Sequence, residues 1–391
     1  MTHAHPHSRT DVQAHPRSVP ADRTDSRTAP RSVPADRTDG RTAPRSVPAD
    51  RTDGRTAPRS VPADRTEGQA HPRSVPADRT EGQAHPRSGP ADRAALRGDH
   101  GSGGPAAPRF GYGTNGLGDL RLDEALGLLA DLGYDGVGLT LDHMHLDPLA
   151  PDLVARTARV ARRLGELGLG VTVETGARYV LDPRRKHGPS LLDPDPEDRA
   201  ARVRLLLRAV RVAADLGAHA VHCFSGTLPA GTPPDEAWKR LVTSLSPVLE
   251  AAEAARVPLA VEPEPGHLLS TLDDFHHLRG LLGEPPPAVL GLTLDIGHCQ
   301  CLEPLPPADC VRAAAPWFHH VQIEDMRRGV HEHLPFGDGE IDFPPVLAAL
   351  AELTAAGYPG LTVVELPRHS HAGPELARSS LSFLRQETPA C

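Results

Sequence analysis

The sequence predicts an α/β fold, a TIM (β/α)8 barrel preceded by a disordered repeat tail, on three observations. Short β-type runs alternate with helical Leu/Ala/Arg stretches eight times after residue 109. About 283 of the 391 residues take part in that alternation. Almost no large apolar residue occurs before Phe110. Alternation of strand and helix argues for a parallel sheet covered by helices, and eight units match a closed barrel better than a doubly wound sheet, which usually has five to seven strands.

Residues 1–108 form the first segment. Val19-Pro20-Ala21-Asp22-Arg23 recurs from Val33, Val47, Val61 and Val75, and as Gly89-Pro90-Ala91-Asp92-Arg93, a period of fourteen. Each unit offers one Val among Pro, Arg, Asp, Thr and Gly, so stacked copies would have no apolar face to bury. The segment is expected to be disordered, because it buries too little to offset the entropy of ordering its backbone. It reads either as an Arg-rich spacer or as an expanded repeat without a role. His3, His5 and His7 lack the preorganised geometry of a metal site.

The second segment, 109–391, carries the barrel. Strands are expected at 110–114, 136–141, 170–174, 219–223, 258–262, 289–295, 318–323 and 361–365, where β-branched and apolar residues cluster between turn residues. Helices are expected at Asp123 to Leu132, Pro151 to Leu167, Pro196 to Leu216, Asp235 to Arg256, Asp273 to Leu282, Pro307 to Ala314, Pro344 to Ala356 and Pro374 to Leu384. Several open with Pro or Asp, as helix starts do.

Charge narrows the function. Residues 1–108 carry 17 Arg, no Lys and 13 acids, so the rest of the chain holds 25 basic and 38 acidic residues. A folded part near −13 is a poor partner for a phosphate backbone, and no nucleic acid is expected as a ligand. No run of 18 apolar residues and no apolar leader follow Met1, so no membrane is expected and the location is read as cytoplasmic. Five cysteines in a long chain argue against a disulfide framework. Cys299 and Cys301 have no second pair at zinc-ribbon spacing.

In a barrel of this kind chemistry sits at the C-terminal strand ends. Polar residues gather there: Asp142, His143 and His145 after the second strand, Glu174 at the third, Glu262 and Glu264 at the fifth, Asp295 and His298 at the sixth, Gln322, Glu324 and Asp325 at the seventh, and Glu365 at the eighth. An unpaired buried carboxylate is costly, so several converging on one mouth imply a divalent metal. The hard oxygen set favours Mn2+, Mg2+ or Co2+, with Zn2+ also compatible. Glu264 reads as a ligand or a helix cap, and His143 and His145 as mouth or loop residues. The basic run Asp182-Pro183-Arg184-Arg185-Lys186-His187 reads either as a recruiter of a phosphate or carboxylate or as a solvated loop.

The segments Val261-Glu262-Pro263, Leu294-Asp295-Ile296-Gly297-His298, His320-Val321-Gln322-Ile323-Glu324-Asp325, Gly337-Asp338-Gly339-Glu340-Ile341-Asp342 and Val364-Glu365 resemble the xylose isomerase-like TIM barrel family. That family includes sugar isomerases and epimerases, hydroxypyruvate isomerase and apurinic endonuclease family 2. The resemblance implies a single-metal shell of Glu262, Asp295, Gln322 and Glu365. Gln322 departs from the His usual there but matches the hydroxypyruvate isomerase branch. It further implies substrate binding by His298 and Arg328 and acid/base catalysis by Glu262 and Glu365, while His145 and Glu174, polar residues at strand ends, are further candidates for substrate binding. The implied reaction is isomerisation or epimerisation of a small sugar, sugar phosphate or hydroxy-carbonyl compound through an enediolate. Relatives often pair, so a homodimer is compatible with the resemblance. Two other readings stand beside this one. His331 and His333 resemble ligands of the metal-dependent phosphodiesterase branch, and a barrel that kept the fold but lost turnover would be a noncatalytic metabolite-handling protein.

Overall fold

Why the alternation closes on itself is visible in the strand register. The computed structural model describes residues 107–176 and 178–388, so the tail assigned to 1–108 lies, but for its last two residues, outside the described residues. Eight parallel strands form a closed barrel: β1 (Phe110–Gly113), β2 (Gly136–Thr140), β3 (Gly170–Glu174), β4 (Val221–Phe224), β5 (Leu259–Glu262), β6 (Leu290–Asp295), β7 (Phe318–Ile323) and, after an inserted hairpin, β10 (Thr362–Val364). Closure comes from the two ends of the barrel segment: Phe110, Gly111 and Tyr112 pair with Thr362, Val363 and Val364.

Nine α-helices occur among the described residues: α1 (Leu122–Leu132), α2 (Leu153–Leu167), α3 (Pro196–Leu216), α4 (Pro234–Ala255), α5 (Leu272–Leu281), α6 (Ile296–Leu302), α7 (Pro307–Ala314), α8 (Phe343–Ala355) and α9 (Gly373–Glu387). Their ends follow local chemistry. Asp195 caps α3 by accepting the Glu197 amide, with Pro196 at the first helical position where no amide is needed. Thr271 and Asp274 exchange side-chain and backbone bonds at the start of α5. Gly168 and Gly217, both at φ of 68°, end α2 and α3 in the left-handed conformation that costs glycine nothing.

One core runs through the barrel and its helical coat, with Leu126, Leu139, Val173, Leu206, Leu245, Leu259, Phe275, Leu292, Val321, Leu347 and Leu384 all buried. The eight strands fall within two residues of their expected bounds at either end. Two elements are additions to the sequence reading. Helix α6 starts immediately at the end of β6, and an antiparallel hairpin of β8 (Asp325–Arg327) and β9 (Val330–Leu334) follows β7. Both lie at the rim where the polar strand ends collect. No helix among the described residues is long and apolar enough to cross a membrane.

Candidate functional site

Side chains alternate along a strand, so residues two apart share a face. In β7 this puts His320 and Gln322 on the lumen side, and register places Gln322 beside Asp295 of β6 and Val363 of β10. The lumen is polar at this level. Glu174, from β3 on the opposite wall, reaches across to the His320 Nε2 at 3.2 Å, accepts the Gln322 amide at 3.5 Å and accepts the Thr140 hydroxyl at 3.1 Å. Gly138 makes room for it, since a Cβ there would collide with the Glu174 carboxylate. Burial would raise the Glu174 pKa, but the hydrogen bond and charge of His320 outweigh it and hold the group below its ordinary value.

Above that layer sits Glu262, buried at the end of β5. His222, inward on β4, lies 2.5 Å from Glu262 Oε2, and His298 Nδ1 lies 3.3 Å from Oε1. Asp295 ends β6 and caps α6 in the same step, its Oδ1 accepting the His298 amide at 2.9 Å. That single turn of helix is why a His three residues after the Asp returns to the same site. Burial works to raise Asp295, yet the neighbouring His298 and His333 imidazoles hold its carboxyl below the ordinary range. Glu365, just past β10, has one oxygen held by the Asn115 amide at 3.0 Å. Burial and then Glu262 push Glu365 well above the ordinary carboxylate range, and burial and then Asp295 do the same to Glu262.

The hairpin covers one side. Asp325 fastens it by accepting the amides of Gly337, Gly339 and Ile341 at 2.9, 2.9 and 3.1 Å. Its β9 strand delivers His331, whose Nε2 is 3.2 Å from His298 Nε2, and His333, 3.3 Å from Glu324 Oε1.

The donor set fits a divalent cation. Glu262 Oε1, Asp295 Oδ2 and Gln322 Oε1 are buried without a hydrogen-bond partner, as are both oxygens of Glu324. Buried acceptors left bare are costly and call for a cation or a proton. Candidate donor atoms lie within 4.8 Å of one another in three groups: Glu262, Asp295 and His298; Asp295, Glu324, His333 and Glu365; and His298, His331 and His333. Asp295 belongs to the first two, Glu262 standing in one and Glu365 in the other, while Gln322 of the adjoining strand has a buried amide oxygen without a hydrogen-bond partner. None of the three groups contains a cysteine.

An open cavity lies over this floor. Glu262, Glu365, Glu264 and His222 line it below, and Arg178, Lys186 and Arg368 stand at its rim. Other residues expected at the site are held elsewhere. His145 is buried in the loop after β2, bonded to the Leu120 carbonyl at 3.2 Å. Arg328 sits exposed at the hairpin turn, donating to the Gln300 carbonyl at 3.0 Å, away from the cavity. Glu174 is buried among His320, Gln322 and Thr140 and does not line the cavity. In the basic run, Arg185 is bound to Asp182, Asp193 and Asp198 at 3.1, 2.9 and 2.8 Å.

A family model described as "Xylose isomerase-like TIM barrel" matches residues 126–387. The chain belongs to that family. Among relatives of known activity, an L-ribulose 3-epimerase from Mesorhizobium japonicum is 27% identical over 61% of this chain and 73% of its own. An L-ribulose-5-phosphate 3-epimerase from Shigella flexneri is 25% identical over 62% of this chain and 81% of its own. The solved structure of an L-ribulose 3-epimerase superposes with a TM-score of 0.57 at 22% identity, over 72% of this chain and 94% of the other. These family relatives are sugar epimerases, members of the isomerase class. Within the family frame, the residues that sequence reasoning passed over are His222 and Asn115, whereas Glu324 was noted as a polar residue at the end of the seventh strand. An inward position in the fourth strand was the available signal for His222.

Proposed function

We propose that the chain is a divalent-metal-dependent epimerase of a ketose-type sugar, with Glu262 and Glu365 as the acid/base pair. The observation that carries this reading is the set of bare buried oxygens on Glu262, Asp295 and Gln322 beneath a cavity whose floor presents Glu262 and Glu365. Asp295, Glu262, Glu365 and Gln322 would hold the cation, with Glu324 and His298 adjoining. When bound, such a cation stabilises the negative charge that develops on the oxygens of an α-hydroxy ketone as its proton leaves.

The chain's own residues do the rest. His222 fixes one oxygen of Glu262 and Asn115 one oxygen of Glu365, so each carboxylate is oriented and keeps a second oxygen for other work. Burial and the neighbouring carboxylates raise both pKa values in the metal-free protein, so each group is a stronger proton acceptor than a solvated carboxylate. In barrel order β5 and β10 are separated by β6 and β7, so the two carboxylates come from different walls. One removes the α-proton on one face and the other returns a proton on the opposite face, which inverts the carbon. Return at the neighbouring carbon would give isomerisation instead.

The test is solvent exchange. In D2O with added Mn2+, L-ribulose should gain deuterium at the carbon beside its carbonyl together with the epimeric sugar, and chelation should abolish both. Absence of exchange into a panel of ketoses and ketose phosphates, with Mn2+, Mg2+, Co2+ or Zn2+, would sink the reading. The His298, His331 and His333 group is the one observation favouring a metal-dependent phosphodiesterase. More than one tightly bound metal per chain, with cleavage of a phosphodiester, would turn the conclusion that way.

A further inference from the structure

Three cations meet at the cavity rim from two loops. Arg178 belongs to the loop after β3, Lys186 to its continuation, and Arg368 to the loop after β10. The loops are tied together where Arg178 Nη1 donates to the Pro367 carbonyl at 3.3 Å. Burial first, and then the positive charges of Arg368 and Arg178, lower the Lys186 pKa, so an anion placed among the three groups would be favoured.

Among the described residues none of the three forms an ion pair with a carboxylate, and neither Lys186 nor Arg368 makes a hydrogen bond. The contrast with the preceding residue is informative. Arg185 is consumed by three aspartates, whereas Lys186 is left facing the cavity. The segment that presents Lys186 is braced from below by the buried Arg202, which donates to the carbonyls of Pro189 at 2.8 Å and of His187. Lys186 is therefore displayed from a fixed loop.

We propose that Arg178, Lys186 and Arg368 form a clamp for the phosphate of a sugar phosphate, so that the substrate is a ketose phosphoester whose reacting carbon lies on the carboxylate floor. This rests on the epimerase reading and deepens it. Three separate cations exceed what one carboxylate needs. A phosphate monoester carries about −1.5 to −2 at pH 7 and three acceptor oxygens, which matches three donors approaching from different sides. Glu264 and Glu365 also attract Lys186, but they stand on the floor. That leaves the cations at the rim, where the far end of a substrate chain would emerge.

The experiment compares L-ribulose with L-ribulose 5-phosphate on the full chain loaded with Mn2+, by deuterium incorporation. The ratio of kcat/KM, phosphoester over free sugar, should be about 10² or more, and should collapse toward one in Lys186→Gln and Arg368→Gln, chiefly through KM. Inorganic phosphate should compete with the phosphoester. Arg184→Gln, outside the cavity, serves as the control that keeps the ratio. Equal kcat/KM for the two sugars, or preference for a ketose carboxylate, overturns the clamp while leaving the epimerase intact. Should neither sugar exchange, the epimerase reading fails and calorimetry decides the clamp: inorganic phosphate must bind the parent and not the Lys186→Gln/Arg368→Gln double variant, and failure to bind the parent overturns it.

Discussion

Glu262 and Glu365 are each hydrogen-bonded through one oxygen, to His222 and Asn115, so an amide of the same shape can occupy either place without disturbing the strands. Glu262→Gln and Glu365→Gln should each lower the rate of solvent exchange by about 10² to 10⁴, the usual contribution of a positioned acid or base, with circular dichroism unchanged. The same carboxylates set a pH dependence. Glu262, Glu324 and Glu365 have pKa values raised chiefly by burial, so in the metal-free protein their protonated forms contribute stability at low pH that is lost as pH rises through those raised values. At the proposed metal site a cation would take the place of the protons. The rise in Tm on adding Mn2+ should therefore be larger at about pH 8 than at about pH 5.5. An equal rise at both would show that these carboxylates do not hold the ion. At this scale Glu262, Asp295, Gln322 and Glu365 stood out in sequence as polar residues at or near strand ends, and their grouping as one candidate site came from the family resemblance. Asn115 and His222 were not, because their roles exist only through contacts between strands far apart in the chain. Arg328 shows the converse: its spacing from Gln322 matched a family position, but the intervening chain folds into a hairpin that turns it outward.

The β8–β9 hairpin is the element on which His331 and His333 depend. It pairs with no barrel strand; Asp325 ties it down through three backbone amides, beside the Glu340 amide on the Met326 carbonyl and the Gly329 amide on the Cys301 carbonyl. Asp325→Ala should cost about 1–3 kcal/mol, as expected for buried donors left bare, and should loosen the hairpin in hydrogen exchange before the barrel is affected. If protection of β9 amides is unaltered, the fastening lies elsewhere. Elements with strong local signals were readable from sequence: α3 and α7 begin and end where Pro, Leu and Ala placed them. The hairpin was not, since Val330–Leu334 is largely His and Glu with no apolar alternation, and the bonds that tie it down, those of Asp325 among them, are made to chain outside its own pattern. Helix α6 was hidden because Asp295 serves as strand end and cap together.

For the molecule as a whole, close packing of neighbouring strands at the foot of the barrel is the condition for closure. A Cβ on Gly136 would meet Leu361 Cδ1 at 2.5 Å and the Gly170 carbonyl at 2.6 Å. Gly136→Val should destabilise the barrel by about 1–3 kcal/mol or more, the typical penalty of overpacking, seen as a lower Tm with loss of exchange activity at a lower temperature. An unchanged Tm would mean that the strands can part locally to admit a side chain. The barrel itself was legible because eight strand–helix units leave few topologies that bury both sheet faces, whereas the cavity rim depends on loops whose paths the alternation does not dictate. The pairing of Phe110–Tyr112 with Thr362–Val364 has a biosynthetic corollary. A nascent polypeptide can form its early βα units while still on the ribosome, but Glu365 and its Asn115 partner cannot meet until the last strand has emerged and slotted between β1 and β7. If Glu262 and Glu365 act as the proposed pair, incomplete chains would lack one of the two and have no turnover, so activity should appear in one step, late in synthesis, rather than growing with chain length.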